Sequence, residues 1–340
     1  MTNIGLIGCG GVANGHIRVY ENLKNAKVVA VSDIDARKAQ NFATRNGINR
    51  FFSDYRDLLE IRDLDFVDIC TPTSTHFEIV CDAAKSGHNI LVEKPMALTT
   101  VECDEMINRA RKAGAKLCVC HNQIFYSSIR QAKSMIDSGY YDLVSFRTSQ
   151  KGNPKLYGAP QWNVAPGERG VLWEVGCHLA YLQLHFLKEI SEVYAVGGKT
   201  KYQVYDNFRA LLRTRDQPCG LIDVSWISKV PEIVYEIESA DGKRATIDRN
   251  SDTLTEKSEN SNGGLSSYIR SVLNRFAPSP KTTKSEMRYF IGHYYLIAKY
   301  IKSLENETSP PVEPEAGRAA IRLLECIEES LNKHKSVAIK

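Results

Sequence analysis

Glycine is crowded into one place near the start of the chain. Gly8-Cys9-Gly10-Gly11-Val12-Ala13 follows the short apolar run "NIGLIG" and opens a helical pattern that reaches about Leu23. Glycine weakens a helix or strand by roughly 0.5–1 kcal/mol relative to alanine, so the turn between them must require it. G-x-G-x-x-A between a strand and a helix has a physical reading. Gly8 makes the tight turn, Gly10 lets a pyrophosphate approach the backbone, and Ala13 allows close helix–strand packing. Gly11 and Val12 complete a cradle at the helix N-terminus, where N–H groups and a partial positive charge face phosphate. Asp33 lies 20 residues beyond Ala13, at the end of "AKVVAVSD". A carboxylate there accepts the ribose hydroxyls of an adenosine, or else caps the following helix, a task Asp35 could also perform. It would repel a 2′-phosphate, which favours NAD over NADP; Arg37 and Lys38 read as solvated helix residues.

The glycine turn belongs to a longer alternation. "FVDICTP", "NILVEKP" and "AKLCVCHN" are further strands, separated by the helical patterns "ARKAQNFATRNG", "HFEIVCDAAKSG" and "TTVECDEMINRARKAG". The strands are continuous apolar runs, so both faces should be covered by helices, as in a doubly wound parallel sheet. After Asn122 the pattern changes. A helix, "SSIRQAKSMIDSG", and a strand, "DLVSFRTSQ", lead to a polar loop over 151–169 and a helix around "LWEVGCHLAYLQLHFL". Then "EVYAVGG", "NFRALLRTR", "CGLIDVSW", "IVYEIESAD" and "KRATID" follow one another without helices, which predicts a mostly antiparallel open sheet. Residues 248–264 read as an exposed loop, and helices return at 265–276, 286–305 and 315–333. The expected fold class is α/β: a Rossmann domain over 1–122, then an α+β domain over 123–340 for substrate binding and oligomerisation.

A chain of 340 residues is too long for one ordinary core, which fits two domains. Both signs of charge are interspersed to a formal net of +4, so no nucleic-acid partner is expected. No apolar run approaches the ~18 residues of a membrane span, and no signal-like segment opens the chain. The nine cysteines lack framework spacing; Cys118 and Cys120 read as small apolar fillers on one side of a strand. A reducing, cytoplasmic location is the expectation, which makes the acceptor-like Asn306-Glu307-Thr308 a chance match. No metal site is expected.

Strand ends carry the next motifs. Ligands of an open α/β sheet bind outside the carboxyl ends of its strands. That places Thr71, Pro72 and His76 of "CTPTSTH" beside the nicotinamide half of a cofactor, and Glu93-Lys94-Pro95 nearby, with a cis Lys94–Pro95 bond plausible. Histidine suits removal of a hydroxyl proton, and a lysine cation suits an oxygen on which charge builds. Glu174 and His178 are four apart and should share one helix face; His185 reads as a core histidine.

In combination, GCGGVA with His16, Asp33, TPTSTH, EKP and Gly170-x-x-x-Glu174-x-x-x-His178 resemble the Gfo/Idh/MocA oxidoreductase family along the whole chain. The resemblance implies NAD(P)-dependent oxidation or reduction of a hydroxyl on a sugar, cyclitol or similar polyol. It further implies that Lys94 hydrogen-bonds the reacting oxygen, that His178 is the acid/base, and that Glu174 stands where an aspartate is usual. A homodimer or homotetramer built through the second sheet is implied as well. Three departures fall where substrate is read: Glu168-Arg169-Gly170 instead of a glycine-rich stretch, Glu174, and Gln123-Ile124-Phe125-Tyr126 instead of an Arg-aromatic pair. Trp162, Asn163, Arg169, Trp173 and Tyr235 are candidate pocket residues. Two other functions suit the same fold: a glycosidase using transient C3 oxidation, and a non-catalytic dinucleotide sensor, which would need neither Lys94 nor His178.

Overall fold

The computed structural model describes residues 1–154, 164, 169–215, 218–258 and 290–339. They fall into two units: Met1–Asn122 with Pro280–Ile321, and Gln123–Ser279 with Arg322–Lys340. The division therefore differs from a single cut after 122, because the chain comes back to its first unit late.

In the first unit, β1 (Thr2–Ile7), β2 (Ala26–Ser32), β3 (Arg50–Phe52), β4 (Phe66–Ile69), β5 (Asn89–Val92) and β6 (Leu117–Val119) form a six-stranded sheet in the order β3-β2-β1-β4-β5-β6. All neighbours pair in parallel. Ile4, Leu6, Val67, Ile69, Leu91 and Val92 are fully buried, which accounts for apolar runs without alternation. The helices between strands are α1 (Gly11–Asn22), α2 (Ala36–Arg45), α3 (Tyr55–Leu59), α4 (Thr73–Lys85) and α5 (Thr100–Lys112). Local chemistry sets their starts. Asp35 caps α2 by accepting from the Arg37 and Lys38 amides. Thr99 and Glu102 form a reciprocal capping box on α5, an arrangement in which the cap alone contributes about 1 kcal/mol. The short β3 and α3 were not expected from the sequence; three and five residues carry too little periodicity to announce themselves.

In the second unit, α6 (Ser127–Asp137), β7 (Leu143–Lys151), α7 (Gly170–Glu174) and α8 (Gly176–Phe186) precede a run of strands. These are β8 (Ile190–Gly198), β9 (Asn207–Thr214), β10 (Cys219–Ser225), β11 (Glu232–Ser239), β12 (Lys243–Asp248) and β13 (Thr253–Ser258), with β14 (Val337–Ala338) near the end of the chain. The sheet order is β13-β12-β11-β7-β10-β9-β8-β14. Only β7 and β10 run parallel; every other pair is antiparallel. β9 alternates fully, with Phe208, Ala210 and Leu212 buried and Arg209, Leu211 and Arg213 exposed.

Two expectations need correction. Residues 253–258 form an edge strand rather than loop, pairing Lys243 with Ser258 through Asp248 with Thr253; a polar strand is what a sheet edge tolerates. The helix around residue 178 is also not continuous. A turn at Val175 separates α7 from α8, where the His178 amide bonds the Val175 carbonyl at 3.1 Å. Glu174 and His178 thus sit on consecutive helices. The next residue, Gly176, packs so closely that a Cβ would meet both Phe208 and Leu324 at 3.2 Å.

After the second sheet, α9 (Ile291–Glu305) belongs to the first unit, and α10 (Pro314–Lys333) follows it. The helix expected at 265–276, the first residues of that expected at 286–305, and most of the 151–169 loop lie outside the described residues.

Candidate active site

The glycine turn explains itself residue by residue. Gly8 has φ +94°, and a Cβ there would lie 2.7 Å from the Cys70 carbonyl oxygen. Only glycine fits, and the reason is internal to the fold. Gly10 and Gly11 differ: a Cβ on either would point into open space. No contact among the described residues requires glycine there, as expected where a ligand must come close to the backbone. Gly10 caps α1 without a side-chain bond, and no acid sits in the first turn, so the helix start offers its N–H groups to an anion. Ala13 is fully buried and Val12 is exposed.

Asp33 ends β2 beside this turn. Its Oδ2 accepts the Cys9 amide at 2.9 Å and its Oδ1 accepts the Asp35 amide at 3.1 Å. Asp35, not Asp33, caps α2, which leaves Asp33 available for the sugar-binding role. Lys38 is not merely solvated: its Nζ lies 2.9 Å from Asp33 Oδ2. Burial opposes the Asp33 charge, but the Cys9 amide and Lys38 outweigh it and hold the carboxyl below its ordinary range. A carboxylate that stays ionised, set beside a helix start that carries no side-chain cap, fits the adenosine half of a dinucleotide.

At the neighbouring strand ends, His76 is 1% exposed, with Nδ1 2.9 Å from the Pro95 carbonyl oxygen and Nε2 2.9 Å from that of Thr71. It braces the loop after β4 against the loop after β5. Pro72 is the N-cap of α4, and Thr71 Oγ1 accepts from Thr75 at 2.8 Å. The Lys94–Pro95 bond is cis. Lys94 is half-buried, and its amide donates to Glu93 Oε2 at 3.0 Å.

Behind Glu93 lies a buried polar array. His16, on α1, is fully buried between two carboxylates: Nδ1 is 2.7 Å from Asp68 Oδ2 and Nε2 is 3.0 Å from Glu93 Oε1. Tyr20 donates to the same Asp68 oxygen at 2.7 Å, and His293 Nε2 lies 3.7 Å from the same Glu93 oxygen. An unpaired buried carboxylate costs several kcal/mol, on the order of 3–5, so this array needs a cation. Burial opposes charge on His16, but Asp68 outweighs it and the ring titrates well above its ordinary value. Burial likewise opposes ionisation of Glu93, but the bonds from His16 and His293 win and hold it well below the carboxylate range. The donor atoms of His16, Glu93, Cys120 and His293 lie within 4.8 Å of one another, a spacing an ion would also accept; the bonds just described account for it with protons. Asp68, Tyr20 and His293 escaped the sequence reading. The available signal was an acid inside the otherwise apolar strand "FVDI".

In the second unit, Gly170 has φ +58°, and a Cβ there would lie 2.3 Å from the Tyr205 carbonyl oxygen. Glu174 and His178 are both half-buried on the helices that follow it. Arg169 stacks over the Trp173 ring at 4.1 Å and bonds Glu328 at 3.1 Å. Tyr235 is fully buried and donates to Gln123 at 2.7 Å. Arg169, Trp173 and Tyr235 thus each have partners within the second unit. Trp162 and Asn163 lie outside the described residues. His185 is half-buried, edge-on to Phe186, and its pKa is pushed down to about 4 by burial and then by Lys133.

A parallel sheet of this order, with a glycine cradle after its first strand and a carboxylate ending its second, defines an NAD-binding domain of the oxidoreductase type. Residues 2–121 match the model described as "Oxidoreductase family, NAD-binding Rossmann fold", and residues 129–245 match the "GFO/IDH/MocA C-terminal domain". The chain belongs to the Gfo/Idh/MocA family. A myo-inositol 2-dehydrogenase of Thermotoga maritima is 23% identical over 352 aligned residues, covering 99% of this chain and 98% of the relative. A D-apiose dehydrogenase of Paraburkholderia graminis is 25% identical over 252 residues, 70% of this chain. An oxidoreductase of Bacillus subtilis, YrbE, is 28% identical over 195 residues, 57% of this chain. The chain spans 65% and 56% of the length of these last two relatives. Among solved structures, a levoglucosan dehydrogenase in complex with NADH and levoglucosan superposes with a TM-score of 0.84 at 20% identity, covering 99% of both chains. An Agrobacterium radiobacter oxidoreductase in complex with NAD+, L-tartaric acid and magnesium gives 0.82 at 21% identity, covering 99% of this chain and 98% of that one. At these identities the likeness is one of fold.

Proposed function

We propose that this protein is an NAD-dependent dehydrogenase or reductase acting on a hydroxyl-bearing carbon of a sugar, cyclitol or related polyol. The observation that carries this reading is the ionised Asp33 beside an open Gly10–Gly11 cradle, in a chain similar over its whole length to an inositol dehydrogenase. Gly8, Gly10, Gly11, Val12, Ala13 and Asp33 hold the adenosine and pyrophosphate. Thr71, Pro72, Glu93 and Lys94 border the nicotinamide side, with His76 bracing that edge. When bound, the nicotinamide accepts or returns the hydride.

This chain's own side chains manage the proton and the charge. His178 takes the hydroxyl proton as the carbon gives up its hydride, and Lys94 stabilises the oxygen on which negative charge builds. Glu174 orients the substrate from the helix that precedes His178; its extra methylene relative to aspartate moves that contact by about 1 Å.

A homodimer or homotetramer formed through the second sheet belongs to the same reading. Its support is an exposed apolar group on neighbouring strands: Tyr194 pairs across from Leu211, and both are about half exposed (44% and 52%), as is Val196 at 49%. Light scattering on the purified chain tests it, and a monomer at micromolar concentration would defeat it. A cytoplasmic location is supported by nine free cysteines, eight of them buried, and by the lack of any described helix long and apolar enough to cross a membrane.

The activity is tested by mixing the protein with NAD and a panel of polyols, cyclitols, sugar acids and free sugars, and following the absorbance of the reduced cofactor. Stoichiometric accumulation of NADH is expected with at least one free polyol. Glycoside cleavage without net NADH would favour the glycosidase alternative, and NAD binding without either reaction would favour a sensor.

A further inference from the structure

Glu93 was assigned to the nicotinamide border, but the array behind it has no part in the chemistry described so far. His16 and Asp68 are fully buried and cannot touch a substrate, and Glu93 is 5% exposed. Yet the array ends on the reactive turn. Glu93 divides its two oxygens between two tasks. Oε1 accepts from His16 Nε2 at 3.0 Å, and Oε2 accepts from the backbone amide of Lys94 at 3.0 Å. A carboxylate held at both oxygens is fixed in rotation as well as position. The residue whose amide it fixes is the lysine assigned to the reacting oxygen.

The remaining contacts make His16 the anchor. Its other nitrogen bonds Asp68 on β4 at 2.7 Å, and Asp68 is itself held by Tyr20. The ring therefore ties the middle of the sheet to the loop after β5. His293 approaches the same Glu93 oxygen from α9, 3.7 Å away, and its Nδ1 contacts the Asn122 amide at 3.0 Å. The side chains of Asp68, His16 and Glu93 thus stand in sequence between β4 and the backbone amide of Lys94.

We propose that His16 is a positioning residue for Lys94, acting through the Glu93 carboxylate. The proposal rests on the reading of Lys94 given above, and adds a requirement to it: the lysine works only while Glu93 is held from behind. Proximity of a catalytic group is sensitive to displacements of about 1 Å, which can cost on the order of 100-fold in rate. A loosened turn should therefore lower kcat and leave cofactor binding alone.

The test uses the full chain with four variants. His16→Asn keeps a donor toward Asp68 and removes the one toward Glu93. Glu93→Gln keeps the shape and removes the charge. The double variant tests whether the two act in series. Tyr300→Phe is the structural control: the Tyr300 hydroxyl is buried in the same unit, bonding the carbonyls of Ile90 and Lys116 at 2.9 Å, and does not contact Glu93. Hydrogen exchange at the Lys94 amide reads the positioning itself, and Pro95 contributes no amide beside it. We expect exchange to accelerate at least tenfold in His16→Asn and in Glu93→Gln, and to stay at the parent rate in Tyr300→Phe. We expect kcat to fall 10- to 100-fold in both single variants, with KM for NAD within twofold in His16→Asn, and the double variant to be no slower than the slower single. Exchange at the parent rate in His16→Asn and Glu93→Gln, equal acceleration in Tyr300→Phe, or additive losses in the double variant would each overturn the proposal. If the parent protein turns over no polyol, the functional reading fails by itself, and amide exchange still decides whether His16 positions Lys94.

Discussion

The Asp33 carboxylate is bonded to the backbone amide of Cys9, 2.9 Å away, so the end of the second strand is tied directly to the glycine turn after the first. One residue thus shapes the cradle and presents the charge we propose for reading the ribose. Lys38, 2.9 Å from the same carboxylate, completes the group.

Replacing Asp33 with alanine should weaken NAD binding about 10- to 100-fold, the worth of a charge-assisted hydrogen bond of roughly 1.5–3 kcal/mol. NADP should lose less, because Lys38 is then released to meet a 2′-phosphate. Fluorescence titration with both reduced cofactors measures the two constants. Equal weakening would remove Asp33 from ribose recognition.

The glycines of the cradle should respond in opposite ways. Gly8→Ala drives a Cβ into the Cys70 carbonyl at positive φ and should destabilise the protein by at least 1–3 kcal/mol, the approximate cost of such strain. Gly10→Ala meets open space, so stability should change by about 1 kcal/mol or less, while NAD binding falls at least tenfold. Denaturant unfolding and cofactor titration on both variants give the comparison. A Gly10→Ala protein that binds NAD normally would contradict the cradle.

Lys94→Ala should reduce turnover on the order of 100- to 1,000-fold, the scale seen when a group stabilising a developing oxyanion is removed. NADH binding should stay within twofold. Steady-state kinetics beside a binding titration separates the two, and an active variant would take Lys94 out of the mechanism.

His185 links stability to acidity. Burial holds its folded pKa at about 4, below the ~6.5 of an exposed imidazole. The unfolded chain then binds the extra proton between those values. The contribution of neutral His185 is therefore complete above about pH 6.5 and is lost as pH falls toward 4. His185→Gln should flatten the fall in stability over that window by close to one proton. Urea unfolding at several pH values checks the slope; an unchanged slope would show that the ring does not resist protonation.

Much of this was legible in the residues alone. Continuous apolar strands such as "NILV" could only be buried on both faces, and the glycine turn fixed where the first helix begins. What escaped reading shares a cause: it depends on pairs distant in sequence. Nothing near residue 293 says that its ring reaches Glu93, and the polar run "TLTEKS" shows itself as a strand only through its partner at 243–248. The turn at Val175 was hidden because Gly170, Glu174 and His178 keep helical spacing and Val175 itself keeps helical dihedrals, the His178 amide merely reaching three residues back instead of four. Asp33 and Asp35 were interchangeable as caps on paper, and only the amide contacts of each separate their tasks.

The late return of the chain also bears on how such a protein can be taken apart. A fragment ending at Asn122 contains all six parallel strands, but lacks α9, and with it Tyr300, whose hydroxyl bridges β5 to the lead-in of β6, and His293, which faces Glu93. Anyone wishing to exchange the second unit for another would have to splice at three points, after residues 122, 279 and 321, because the nucleotide module takes up a late stretch of the polypeptide whose last residues belong to its neighbour.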